Sequence, residues 1–253
     1  MAQLTKKERV RAALAGKPLD RVPVSMWGHD FLREWSAQDL VDATLDAYRA
    51  HDWDFIKLNP RATYFAEAWG ATYGRPKEQH QPRVLTNAVN SVEDLMALRP
   101  VDPRAGVFGE QLDALRLLLA EVGDEVDVVH TVFSPLGVAG RLCESDARFR
   151  EYAATNPAAA HTALATLTET LIAYSEASLD VGAAGLFYAP LAWASYNTCD
   201  EDFYREFGRP YDLQLLARVR GAPFNILHVC RDHNMIDLLL DYPVAAFNWA
   251  DRE

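Results

Sequence analysis

Cysteine is scarce in this chain. Cys143, Cys199 and Cys230 are an odd number spread thinly over 253 residues, the pattern of a reduced compartment and not of a disulfide framework. Long apolar runs are missing too. Stretches such as Leu115 to Ala120 and Ile236 to Leu240 fall far short of the roughly 20 residues that cross a bilayer. The N-terminus opens on Thr5, Lys6, Lys7 and Glu8 instead of an apolar signal core, so the expected location is the cytoplasm, without membrane contact. There is no basic stripe: 25 Lys and Arg stand against 36 Asp and Glu, for a formal charge of −11. That balance excludes a surface built to displace counterions from nucleic acid. The partners it leaves are a small-molecule substrate and other proteins, a second copy of the chain among them. The sequence also has no G-x-S-x-G elbow, no G-x-x-x-x-G-K-[ST], no H-E-x-x-H and no C-x-x-C, leaving hydrolase triads, P-loop phosphotransfer and redox dithiols without support.

What is present is the composition of a packed protein, 49% hydrophobic and 11% aromatic, at a length that suits either one to two domains or one α/β barrel. Thr5 with Glu8 caps a helix over Leu4 to Lys17, and Ser36 with Asp39 starts another that runs to Ala50. Apolar strands are expected at Arg21 to Trp27, Asp54 to Pro60, Val126 to Ser134, Ala183 to Ala189, Phe224 to Cys230 and Val244 to Trp249. Helices are expected at Phe108 to Val122, Ser145 to Ala154, Pro157 to Leu179, Glu201 to Arg220 and Asn234 to Asp241. Residues 61 to 105 break the rhythm with Pro76, Pro82 and Pro100, aromatic clusters and one short helix from Ser91, and read as a long loop insertion. Continuous apolar strands alternating with helices describe a parallel sheet covered on both faces. After the first strand comes Gly28-His29-Asp30-Phe31 with no second glycine, so a dinucleotide fold loses its main support. The expected fold is a single (β/α)8 TIM-barrel-type domain over 1–253. Six strands are two too few, and the chain stops at Asp251-Arg252-Glu253. The expectation is therefore a barrel truncated after its sixth strand, or one whose open edges a partner chain covers.

Chemistry-bearing residues gather at the strand ends. His228-Val229-Cys230 closes the fifth strand, and side chains at i and i+2 share a face, so imidazole and thiol project together and could share a zinc ion. The plainer reading packs Cys230 as a small hydrophobe beside a core histidine. Trp27, His29 and Asp30 follow the first strand: His29 with a neighbouring acid suits general acid/base work, while Asp30 equally suits a helix cap. Asn59 and Arg61 follow the second, where Arg61 can either grip a substrate carboxylate or stay solvated. His130 lies four residues before Ser134, at the head of a turn whose amides could face an anion; the alternative is a satisfied core histidine. The fourth strand ends at Tyr188, and the sixth at Asn248, Trp249 and Asp251.

These residues resemble the uroporphyrinogen decarboxylase superfamily. The likeness begins at TKKERVRAALAGKPLDRVPVSMW and continues through DFIKLNPRATYFAEAWGATYG, VFSPLGVAG, DEDFYREFGRPYDLQLL and ILHVCRDHNMIDLLLDYPVAAFNW, in order and over essentially the whole chain. It implies a (β/α)8 barrel and one of two activities: cofactor-free decarboxylation of porphyrinogen acetate arms in porphyrin biosynthesis, or zinc-assisted methyl transfer between corrinoids and thiols. The decarboxylase pattern departs here at four places. Its arginine-rich segment is Trp27 to Phe31, its aspartate falls on Asn59-Pro60-Arg61, its tyrosine on Arg141, and its Asp-Ser pair on Tyr188-Ala189. The methyltransferase pattern matches better, carrying two zinc ligands onto His228 and Cys230, with a third cysteine from near the barrel's end. The leading expectation is therefore a methyltransferase with zinc at His228 and Cys230 and a corrinoid protein as methyl-carrying partner. His29, Asn59, Arg61 and Tyr188 would be its catalytic residues, and Trp27, His130, Ser134, Arg141 and Asn248 would bind substrate. The alternatives are a decarboxylase with no cofactor, using Arg61 or Arg141, and a truncated barrel that binds without turnover.

Overall fold

The computed structural model of the chain describes residues 3–250. The N-terminal helix α1 (Lys6–Leu14) has the full capping box, with the Thr5 side chain accepting from the Glu8 amide and Glu8 reaching back to the Thr5 backbone. Helix α2 (Ala37–His51) starts at Ser36, whose hydroxyl accepts from the Asp39 amide, and leads into β1 (Phe55–Leu58).

Residues 21–27, expected as the first strand, join no ladder. The segment runs extended beside β1 but makes a single backbone bond to it, from Asp54 N to Val24 O at 2.7 Å. Pro23 has no N–H to offer, and the Val24 amide donates instead to the buried Asp54 carboxylate at 2.7 Å. That carboxylate also accepts from Arg9 at 2.6 Å and Arg21 at 2.5 Å, tying α1 and the extended segment to the root of β1.

The stretch 61–105 is not one loop. It holds α3 (Tyr64–Glu67), an antiparallel hairpin of β2 (Thr72–Gly74) and β3 (Arg83–Thr86), and α4 (Val92–Ala97). Then follow α5 (Gly106–Val122), β4 (Asp127–Phe133), α6 (Pro135–Leu142), α7 (Asp146–Thr155), α8 (Pro157–Val181) and β5 (Gly185–Ala189). The helix expected over 201–220 is two, α9 (Glu201–Phe207) and α10 (Arg209–Val219), separated at Gly208 where Pro210 opens the second. Strand β6 (Ile226–Val229) is followed by a 3₁₀ turn at Ile236–Leu239, where a helix was expected, and by β7 (Ala246–Trp249).

The main sheet therefore has five strands, all parallel, in the order β1-β4-β5-β6-β7. It is strongly curled. Phe55 on β1 and Phe224 just before β6 lie three strand spacings apart, about 14 Å in a flat sheet, yet their rings are 5.0 Å apart. Leu186, Tyr188, Leu227 and Val229 face outward onto the helices in the largest core cluster, and Ile56, Leu58 and Val128 pack on α2 and α5 in a second. Val129, Phe187 and Ile226 face inward with Phe55 and Trp27 and fill the barrel interior. Among the described residues the sheet does not close, β1 and β7 being its edges. No helix among them is long and apolar enough to cross a membrane.

Candidate active site

The carboxyl ends of the strands surround a cleft of about 960 Å³. Its walls come from the segment after β1, from α6 and the α6–α7 turn, and from the loops after β5, β6 and β7, while the β2–β3 hairpin overhangs it through Tyr73, Pro82 and Val84. Three non-glycine residues in the loops after β5 and β6 hold positive φ: Leu191 at 60°, Arg231 at 79° and His233 at 49°. Such strain costs of order 1 kcal/mol or more per residue and persists where surrounding structure enforces it, commonly at functional sites.

Strand β6 delivers the most directed pair. His228 lies on the inward face of β6, its ring 5.0 Å from that of Phe187 and 6.3 Å from that of Trp27, and Cys230 follows two residues on at the cleft wall. The register of β6 with β7 sets His228 opposite Asn248, and His228 Nδ1 meets Asn248 Oδ1 at 2.5 Å. The amide oxygen can only accept, so Nδ1 carries the proton and Nε2 presents its lone pair. Burial holds His228 below the ordinary imidazole range, Asn248 pulling the other way, so the ring is neutral near pH 7. Burial likewise raises the Cys230 thiol, against the pull of Arg231 and Arg141. A neutral imidazole and a thiol suit two positions around a zinc ion. No third His, Cys, Asp or Glu joins them among the described residues, and Cys143 and Cys199 are buried thiols.

His29 lines the same cleft as Cys230. Its Nδ1 meets Glu34 Oε2 at 2.7 Å, and Glu34 is buried with its other oxygen unpartnered. The partner of His29 is thus Glu34 and not the adjacent Asp30, whose Oδ1 accepts from Leu32 N and Gln79 Nε2. Ser36, not Asp30, caps α2. Arg141, near the end of α6, lines the cleft with its guanidinium 5.2 Å from the Phe133 ring and a buried Nε that has no hydrogen-bond partner.

Several expected residues lie elsewhere. Arg61 is buried in ion pairs with Glu67 at 3.0 Å and Glu110 at 2.6 Å, and donates to Glu34 O at 3.2 Å, so it has no free face for a substrate carboxylate. We expect Arg61→Met to lower stability by about 3 kcal/mol in chemical unfolding, because it strands two carboxylates, and to leave substrate KM unchanged in whatever assay the folded variant supports. His130 points out of the barrel. Ser178 spends its hydroxyl proton on Tyr174 O at 2.8 Å, so it accepts from His130 Nδ1 at 2.9 Å; burial pushes that imidazole down to about 3 and keeps it neutral. Tyr188 also faces the helices, its hydroxyl donating to Asp212 at 2.6 Å. Ser134 is buried as the N-cap of α6, accepting from Gly137 N at 2.9 Å, and its turn continues into helix instead of cradling an anion. Asn59 and Trp27 line a smaller adjoining cleft of about 360 Å³, where Asn59 donates to Gly28 O at 2.7 Å. Asp251 lies outside the described residues.

One residue at the site carries no sequence expectation. Lys57 sits on the inward face of β1, its ammonium nitrogen 4.6 Å from the Phe187 ring centroid and 5.4 Å from that of Trp27, with Asn59 Oδ1 as its hydrogen-bond acceptor. Burial pushes its pKa down to about 7. Its signal in the sequence is its place two residues before Asn59 in an otherwise apolar strand.

A curled parallel sheet with its polar residues at the carboxyl ends defines a TIM-barrel-type α/β protein, and comparison with known proteins places it further. The family model for uroporphyrinogen decarboxylase (URO-D) matches residues 5–252, and the chain belongs to that family. It is 22% identical to a methylcobamide:CoM methyltransferase of Methanosarcina acetivorans, over 91% of this chain and 71% of that protein. A uroporphyrinogen decarboxylase of Rhodococcus opacus is 30% identical over 57% of this chain and 41% of its own length. Among solved structures, a methyltransferase from Methanosarcina mazei superposes with a TM-score of 0.82 at 23% identity, covering 97% of this chain and 76% of that one.

Proposed function

We propose that this chain transfers a methyl group between a corrinoid, carried by a partner protein, and a small thiol. The observation that carries the reading is His228 on the inner face of β6, its imidazole held by Asn248 so that Nε2 faces away from that hydrogen bond, with Cys230 two residues on at the cleft wall. His228 Nε2 and Cys230 Sγ would hold zinc, with a third donor from beyond the described residues. When bound there, zinc lowers the pKa of an incoming thiol and keeps it as a nucleophilic thiolate.

The chain's own residues do the rest. Asn248 fixes the tautomer of His228, as outer partners of metal-binding histidines do. Arg141, which lines the cleft, receives an acidic group of the thiol substrate. His29, oriented by Glu34 and lining the same cleft, takes up or returns the thiol proton. The full cleft offers room for the face of a large planar cofactor under the β2–β3 hairpin. A decarboxylase reading is weaker, since Arg61, one of its two candidate cations, is consumed by Glu67 and Glu110.

The test pairs metal analysis with methylcobalamin and 2-mercaptoethanol as probes. Purified protein is expected to retain zinc and to demethylate the corrinoid with formation of the thioether. His228→Ala and Cys230→Ser should lose the metal and at least 100-fold of the rate, and Asn248→Ala about 10- to 100-fold of metal affinity. Wild-type protein that stays zinc-free in zinc-supplemented buffer, or His228→Ala and Cys230→Ser variants that keep metal and rate, overturns the reading.

A further inference from the structure

The smaller cleft holds a second set of reactive groups that the methyl-transfer reading does not use together. Lys57, Asn59, His29 and Glu34 all line its roughly 360 Å³, and Leu40, Ala43, Ala47 and Trp53 supply its apolar wall. The amine is held from three sides: the Phe187 ring, the Trp27 ring and Asn59 Oδ1. No carboxylate forms an ion pair with it among the described residues, in contrast to Lys6, which pairs with Asp52 and Glu125. Asn59 also donates to Gly28 O, directly before His29, so the amine and the imidazole are mounted on one hydrogen-bonded unit. Glu34 fixes His29 with the proton on Nδ1 and Nε2 free.

We propose that Lys57 is a nucleophilic amine that takes up a small aldehyde as an imine, with the His29–Glu34 pair moving the protons. Nζ attacks the carbonyl carbon, and His29 Nε2 takes one proton from the nitrogen and passes it to the carbonyl oxygen, giving a carbinolamine. His29 then takes the second N–H proton and delivers it to the hydroxyl, which leaves as water while the nitrogen lone pair forms the C=N bond. One amine and one carbonyl give one imine and one water, with no oxidant or reductant required. A lysine can do this only as the free amine, which desolvation favours, and Lys57 is held near pH 7 by burial. The apolar wall of Leu40, Ala43, Ala47 and Trp53 suits a short aliphatic aldehyde.

The experiment is reductive trapping of the intact chain with propionaldehyde and cyanoborohydride at pH 7, in the presence of EDTA, followed by peptide mass mapping. The chain has five lysines, Lys6, Lys7, Lys17, Lys57 and Lys77, so four serve as internal references. Lys57 is expected to gain the propyl group at least tenfold faster than exposed Lys77. His29→Ala and Glu34→Gln should slow Lys57 at least fivefold while leaving the reference lysines unchanged. An unfolded variant would reveal itself by labelling all five alike. Trapping at Lys57 no faster than at Lys77, or a Lys57 rate indifferent to both substitutions, overturns the proposal. Because the chelator removes any metal from His228 and Cys230, either outcome leaves the methyl-transfer reading standing or falling on its own test.

Discussion

Asp212→Ala is expected to lower the free energy of unfolding by about 3–5 kcal/mol, a large part of what holds an ordinary domain together. The fully buried Asp212 carboxylate on α10 accepts from three tyrosine hydroxyls: Tyr188 of β5 at 2.6 Å, Tyr204 of α9 at 2.6 Å and Tyr242 before β7 at 2.8 Å. Removing it strands three buried donors at once. Asp212→Asn keeps an acceptor oxygen and should cost less. The pH dependence separates the two variants from a mere packing defect. Burial raises Asp212 to about 6, the three tyrosines working the other way, from an ordinary value of 3.8. A carboxyl whose folded pKa is raised binds its proton more tightly in the native state. The stability it contributes is complete below about pH 4 and is lost as pH rises through about 6. The gap between wild type and Asp212→Asn in urea unfolding should therefore widen by about 3 kcal/mol between pH 7 and pH 4. A gap that stays constant would show that the carboxyl does not titrate there.

Lys57→Met should do the opposite and stabilise the chain, most of all in acid. The folded pKa is depressed to about 7 from 10.5 by burial, so the unfolded chain binds more protons between those values and wild-type stability rises with pH across that window. Below pH 7 the native state carries a desolvated ammonium. Methionine fills the same space between Trp27 and Phe187 without a charge. The expected gain is on the order of 3–5 kcal/mol at pH 6 and shrinks toward zero by pH 10.5, read from paired denaturant titrations at the two pH values. A gain equal at both would place the effect in packing alone. Such a stabilising substitution is the mark of a residue retained for chemistry and not for the fold.

How far the sequence could be read follows from what each residue encodes locally. Helices α1 and α2 were legible because Thr5 and Ser36 mark their starts in one dimension, and α8 begins at the expected Pro157. The segment 21–27 has strand composition, but Pro23 and the side chain of a residue 30 positions away decide its bonding. Which way each side chain points was harder still. A strand buried on both faces carries no polar alternation, so nothing in VDVVHTVF or AAGLFYA tells inward from outward. His130 and Tyr188 were placed in the site for that reason, and the structure turns both toward the helices. At the end of β6 spacing was the only signal: parity sends His228 and Cys230 to one side of an extended chain whichever face is inner, and the structure sets His228 on the inward face with Cys230, just past the strand, at the cleft wall. Glu34 was hidden by distance, since its partnership with His29 depends on the turn between them.

The bond between His228 and Asn248 reaches across to a strand with a single neighbour. β7 pairs only with β6 in the described sheet, and beyond Trp249 the Ala250 amide still bonds Val229 O at 3.0 Å. Edge elements are where native proteins open most cheaply, so each transient fraying of β7 also frees the imidazole to turn its other nitrogen inward. The reverse holds by thermodynamic linkage: whatever seizes the aligned ring selects the zipped form of the edge. Within the described sheet, the pairing of β7 and the orientation of the His228 ring are thus two readings of one equilibrium.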